Sequence, residues 1–222
     1  MLQRIDANLW EISRPIKMPG LRMDHRMTVV RLRSGGLLLH SPVSFDSALA
    51  KALAELGPVE YFVAPSCYHD MYWTEWFREY PAAEFFCAPG VKDEHPELPF
   101  KHVLGSESAP PWAGELETRL IRGMPKINEV AFFHKATRTL IVADLVFNLS
   151  TDQNILAKLF LKVNGIYDRV GCSRFFRAFI KDREAFDRSI DELFEWDFER
   201  LVPGHGTVVR NGPAVLKQAL GR

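Results

Sequence analysis

Two stretches of this chain constrain its fold more than anything else in it. In RMTVVRLRSGGLLLH (26–40) two apolar runs flank Ser34-Gly35-Gly36, and in EVAFFHKATRTLIVAD (129–144) two more flank a turn at His134–Thr137. Runs joined by so few residues pair as antiparallel hairpins, whereas parallel neighbours need a crossover of a dozen residues or more. Helical patterns lie around them. SFDSALAKALAELG puts Phe45, Ala48, Leu49, Ala52, Leu53 and Leu56 on one face, with Ser44 as the expected N-cap and Gly57 as the stop. YWTEWFREYP repeats the spacing through Trp73, Trp76, Phe77 and Tyr80 until Pro81 ends it. DREAFDRSIDELFEW is amphipathic, and GPAVLKQAL closes the chain with Pro213 in its first turn. The expectation is an α/β chain of two sheets with helices outside them, rather than a parallel Rossmann sheet. No repeat or Gly/Ser linker interrupts residues 1–222, so one domain is expected, with a helical insertion at about 150–180.

Charge and cysteine usage narrow the function classes. Lys+Arg and Asp+Glu are both 28, so the chain has no overall basic field for nucleic acid. MLQRIDANLW does not read as a signal peptide, and no apolar run reaches the roughly 20 residues that span a bilayer, so no transmembrane segment is expected. Cys67, Cys87 and Cys172 form no C-x-x-C pair, which fits a reducing cytoplasm.

Four β-type runs end in a side chain capable of chemistry. LLLH ends at His40, VEYFVAP leads into His69 and Asp70, TLIVAD ends at Asp144, and RLVPGH ends at His205. Residues just past a rigid strand converge on a ligand at low reorganisation cost, and imidazole and carboxylate suit zinc, iron or manganese. Each has a plainer alternative: Asp70 as a helix cap, Asp144 as a turn brace, His205 as a residue of a Gly-rich turn, His40 as a hydrogen-bonded core group. His25 is read as a residue preceding a strand, with the mouth of a cleft as its other possible place. Cys67 is the one thiol beside this group.

The fragments LLLHSPV, LGPVEYFVAPS, APG, NEVAFFHKATRTLIVADLVFN and LVPGHG, in this order, resemble the metallo-β-lactamase fold, and within it the DUF4336 family. The resemblance implies a four-layer αββα sandwich. It also implies an eroded metal motif. Where active members have H-x-H-x-D-H, this chain has Ser66, Cys67, Tyr68, His69, Asp70 and Met71, and Met124 stands in the place of the next histidine. Asp70, Asp144 and His205 match the remaining ligands, with His69 as a fourth. The implied cofactor is one divalent metal ion (zinc, iron or manganese). The implied activity is metal-assisted hydrolysis of a small-molecule substrate, with Asp70, His69 and His40 as the catalytic candidates. The alternative is a binding or scaffold protein that keeps the fold after losing the metal.

Residues 152–180 are expected to be mainly helical and to border the cleft. Over 154–181, Lys158, Lys162, Arg169, Arg174, Arg177 and Lys181 face only one acid, Asp168, which leans the substrate towards an anion. The segment has no Trp to mark a membrane anchor, so a helical pair packed on the core is the expected role.

Overall fold

The computed structural model describes residues 1–18, 20–105 and 109–222. The chain opens with β1 (Gln3–Asp6), β2 (Leu9–Met18), β3 (Leu21–Arg31) and β4 (Leu37–His40), followed by α1 (Ser47–Leu56), β5 (Val59–Ala64), α2 (Trp73–Glu79), β6 (Glu84–Cys87), α3 (Val91–Glu94) and β7 (His102–Val103). The second half runs β8 (Leu116–Leu120), β9 (Val130–His134), β10 (Thr139–Ile141), α4 (Ile155–Val163), α5 (Arg174–Arg177), α6 (Arg183–Leu193), β11 (Arg200–Val202), β12 (Val209–Arg210) and α7 (Gly212–Leu220). A seven-stranded sheet carries β1 to β7 in sequence order, and a five-stranded sheet has the order β12-β11-β10-β9-β8. Both expected hairpins form: β3 pairs antiparallel with β4, and β9 with β10.

Alternation along single strands builds the layers. In β9, Val130 and Phe132 join the core shared with the first sheet, while Ala131 and Phe133 join the cluster that packs α6 and α7. In β10, Ile141 faces the first core and Leu140 the second. Successive strand side chains point to opposite faces, so both faces of the second sheet are covered. Leu49 and Leu53 of α1 and Trp73 and Trp76 of α2 cover the first sheet through the same large core. The result is the αββα sandwich.

Two local expectations differ. The cap of α1 is Asp46, whose carboxylate accepts from the Leu49 amide at 2.7 Å, not Ser44. The helix expected from Tyr72 enters through a left-handed Tyr72 (φ 68°) without a side-chain cap, so Asp70 does not cap it. The 152–180 segment is a pair of short helices, α4 and α5, separated by turns at Gly165–Val170. Among the described residues, no helix is long and apolar enough to cross a membrane.

Candidate metal centre

Parallel pairing brings the strand ends together. β10 and β11 run side by side, Ile141 opposite Val202, so the residues that follow, Asp144 and His205, emerge at one edge. β4 and β5 are likewise parallel, placing Ser41 beside the loop that carries His69. One ligand atom each from His69, Asp144 and His205 lies within 4.8 Å of the others. His205 Nε2 is 3.2 Å from Asp144 Oδ1, and His69 Nε2 is 3.5 Å from Asp144 Oδ2. Both imidazoles are buried, and the Asp144 side chain keeps 14% of its surface open to the cavity beside it.

The hydrogen bonds around this trio orient it. His205 Nδ1 is 2.7 Å from the Asp24 carbonyl, an acceptor only, so Nδ1 carries the proton. In the neutral ring, Nε2 then turns a lone pair towards a carboxylate oxygen. Two acceptors at this separation call for positive charge between them: a second proton on the ring, or a metal ion. His69 Nδ1 meets the Ser41 hydroxyl at 2.5 Å, and its Nε2 is buried with no hydrogen-bond partner among the described residues. An orphaned buried nitrogen beside a carboxylate and a second imidazole fits a cation site, and a ring held through its other nitrogen is the usual support of a histidine ligand. Burial alone would raise the pKa of Asp144, but the charges of the two imidazoles beside it, His69 and His205, hold its carboxyl well below the usual carboxylate range.

Further residues hold the trio in place. Both oxygens of the fully buried Glu129 accept backbone amides, from Ala143 and Asp144, each at 2.8 Å. Burial, with the Asp144 charge adding to it, pushes the Glu129 carboxyl up to about 8. Buried Arg26 pairs with Glu11 and donates to the carbonyls of Pro203, at 2.6 Å, and Gly206, so its guanidinium clamps the turn that carries His205. Gly204 passes so close that an added Cβ would lie 2.8 Å from the His69 ring. Ser41, held at φ 58°, hydrogen bonds both His69 and His25, and the His25 ring lies tilted against His69, with the ring centroids 4.7 Å apart. Sequence reasoning passed over Arg26, Ser41 and Glu129. The available signal was a lone charge at the start of an apolar strand, in DHRMTVV and in NEVAFF.

Other expected site residues go elsewhere. The Asp70 carboxylate is 2.9 Å from His95 Nε2, so it turns away from the trio, and His69 occupies the place expected for it. His40 is buried edge-on against Phe132, and burial lowers it to about 3, a neutral core group. Tyr68, one of the residues of the eroded motif, is 46% exposed and packs on Phe179. Met124, in the place of the next histidine, is a core residue. Burial pushes the Cys67 thiol up to about 12, which leaves it a poor nucleophile.

A cavity of about 510 Å³ opens beside the trio, with His25, Asp144 and His205 among its lining. The walls come from the β2–β3 hairpin (Ile16, Leu21, Met23) and from the helical segment (Phe160, Phe175, Phe179). Among the described residues no Lys or Arg lines it, so the leaning towards an anionic substrate finds no support in this cavity: the cations of 154–181 lie outside its lining.

Two parallel strand pairs delivering their terminal residues to one edge of an αββα sandwich define the metallo-β-lactamase fold. The family described as Domain of unknown function (DUF4336) matches residues 6–164, and the chain belongs to it. Similar solved structures include a metallo-beta-lactamase from Pontibacter korlensis, 14% identical with a TM-score of 0.67, covering 100% of this chain and 97% of that one. The mono-zinc form of the metallo-beta-lactamase FIM-1 from Pseudomonas aeruginosa is 11% identical with a TM-score of 0.65, covering 100% and 94%. A metal-soaked Flv1 flavodiiron core from Synechocystis sp. PCC6803 is 11% identical with a TM-score of 0.65, covering 98% of this chain and 59% of that one. At these identities the likeness shows the fold alone. A comparison with curated proteins finds no match.

Proposed function

We propose that this protein is a metal-assisted hydrolase of a small apolar substrate, with a single divalent ion (zinc, iron or manganese) held by His69, Asp144 and His205. The observation that carries this reading is the convergence of His205 Nε2, 3.2 Å from the Asp144 carboxylate, with the Nε2 of buried His69, which has no hydrogen-bond partner among the described residues. Two nitrogens and one carboxylate suit any of the three metals. Bound there, the ion would supply Lewis acidity to an acyl or ester oxygen and lower the pKa of water.

The chain's own groups set the rest. Asp24, Ser41 and Glu129 orient the three ligands from outside. His25 lines the cavity, and its buried Nδ1 has no hydrogen-bond partner among the described residues, which makes it the candidate proton acceptor at the cavity floor. The apolar walls select a substrate with a hydrocarbon part and exclude water around it. The test is a series of aryl esters with acyl chains of rising length, given to protein loaded with each metal. Turnover that rises with chain length and disappears in His205→Ala is expected. Equal rates for both proteins would leave the fold as a binding scaffold.

A further inference from the structure

The outer face of α4 is apolar and uncovered. Ile155, Leu156, Leu159, Phe160 and Val163 recur at i, i+1, i+4, i+5 and i+8, which makes one stripe along the helix. Together with Phe175 of α5 they are between 50% and 84% exposed. The opposite side, Ala157 and Leu161, is buried against the body of the protein. Aliphatic and aromatic side chains do not gather on a water-facing helix by chance of packing, because the buried face alone would dock it.

The stripe is edged by cations. Lys158 and Lys162 lie one turn apart along its border, and Arg169 and Arg174 follow in the turn and at the start of α5. Among the described residues none of these four is in an ion pair. Lys162 lies 5.3 Å over the Tyr167 ring, and Arg169 donates only to a backbone carbonyl. A second copy of this chain on the same face would bring these unpaired cations against one another. A partner with negative charge at its surface and hydrocarbon beneath it matches both parts of the pattern. Long basic side chains bordering an apolar face are also the arrangement that lets the stripe enter hydrocarbon while the charges stay among headgroups.

We infer that the face formed by α4 and Phe175 docks on an anionic lipid bilayer. Phe160 and Phe175 belong both to this face and to the lining of the 510 Å³ cavity, so a docked molecule turns its cavity mouth to the membrane. Nothing in the inference depends on a metal ion or on turnover, so it stands or falls separately from the hydrolase reading.

The test is sedimentation of the full chain with phosphatidylcholine vesicles, with and without phosphatidylglycerol. Binding to the phosphatidylglycerol-containing vesicles is expected, with weaker binding to pure phosphatidylcholine. The double variant Leu156→Gln/Leu159→Gln should lose about tenfold or more in partitioning, as removal of two inserted side chains from an interfacial helix implies. Lys158→Gln/Lys162→Gln should abolish the preference for the anionic vesicles. All four positions face solvent or lie at its edge, and unchanged far-UV circular dichroism would show that the variants fold. No sedimentation of the wild type with anionic vesicles would overturn the inference, as would equal sedimentation of the leucine variant. A wild-type dimer that this variant dissociates would overturn it too, by showing that a second copy covers the face.

Discussion

Glu129 holds Asp144 by its backbone: one carboxylate oxygen takes the Asp144 amide and the other takes that of Ala143. The side chain of Asp144 is thereby left free to face His69 and His205. Glu129→Ala orphans both amides in the interior, at about 1–3 kcal/mol for each. Chemical denaturation should register that loss, and metal affinity should fall with it because the carboxylate is no longer aimed. Glu129→Gln keeps one acceptor and should fall between the alanine variant and the wild type.

Asp70 is a partner of His95 and stands apart from the trio. Burial alone would lower the His95 pKa, but hydrogen bonds to Asp70 and Glu97 outweigh it, and the net shift is upward. A histidine whose folded pKa is raised adds stability below its unfolded pKa of about 6.5 and loses that contribution as pH rises through the folded value. Asp70→Asn should therefore lower the His95 pKa in an NMR titration. The stability difference from wild type should be largest in mild acid and vanish as pH rises past the folded pKa. Metal content should not change. Loss of metal in Asp70→Asn would restore Asp70 to the site and contradict the geometry described above.

Ser41 supports the two imidazoles at once. Its removal in Ser41→Ala frees the His69 ring to rotate while leaving the trio intact. Outer-shell partners of this kind are worth about 10–100-fold in metal affinity, which a chelator competition titration would read. An unchanged affinity would mean that packing alone orients His69.

Met124→Ala is the contrasting case. Met124 is buried in the core beneath α6, and truncation should cost about 2–5 kcal/mol in thermal or chemical unfolding. The metal-to-protein ratio should stay the same, because the thioether lies in packing and not in the trio.

The hairpins were legible because turn chemistry is local: Ser34-Gly35-Gly36 and the His134–Thr137 turn sit between apolar runs whose pairing follows directly. Asp144 and His205 were legible because each follows an apolar run by one to three residues, and parallel neighbours carry such residues to a common edge. The choice between His69 and Asp70 was not. Past the end of a strand, adjacent side chains diverge, and the direction each takes depends on distant partners: Ser41 for His69, His95 for Asp70. The length of β2 was hidden by Pro15, which sits beyond the reach of β1 and so needs no donor on that side. A count of lysines and arginines favours an anionic substrate, but a count along the chain does not say which side of a helix faces a cavity.

The central claim is that His69, Asp144 and His205 together hold one metal ion. Elemental analysis of protein purified without chelator, repeated on His69→Ala, Asp144→Asn and His205→Ala, tests it most directly. About one ion of zinc, iron or manganese per chain is predicted for the wild type, with each variant losing it. Wild-type protein that stays free of metal after exposure to all three ions would contradict the account and assign the positive charge between these groups to protons. So would an ion retained when His205 is replaced.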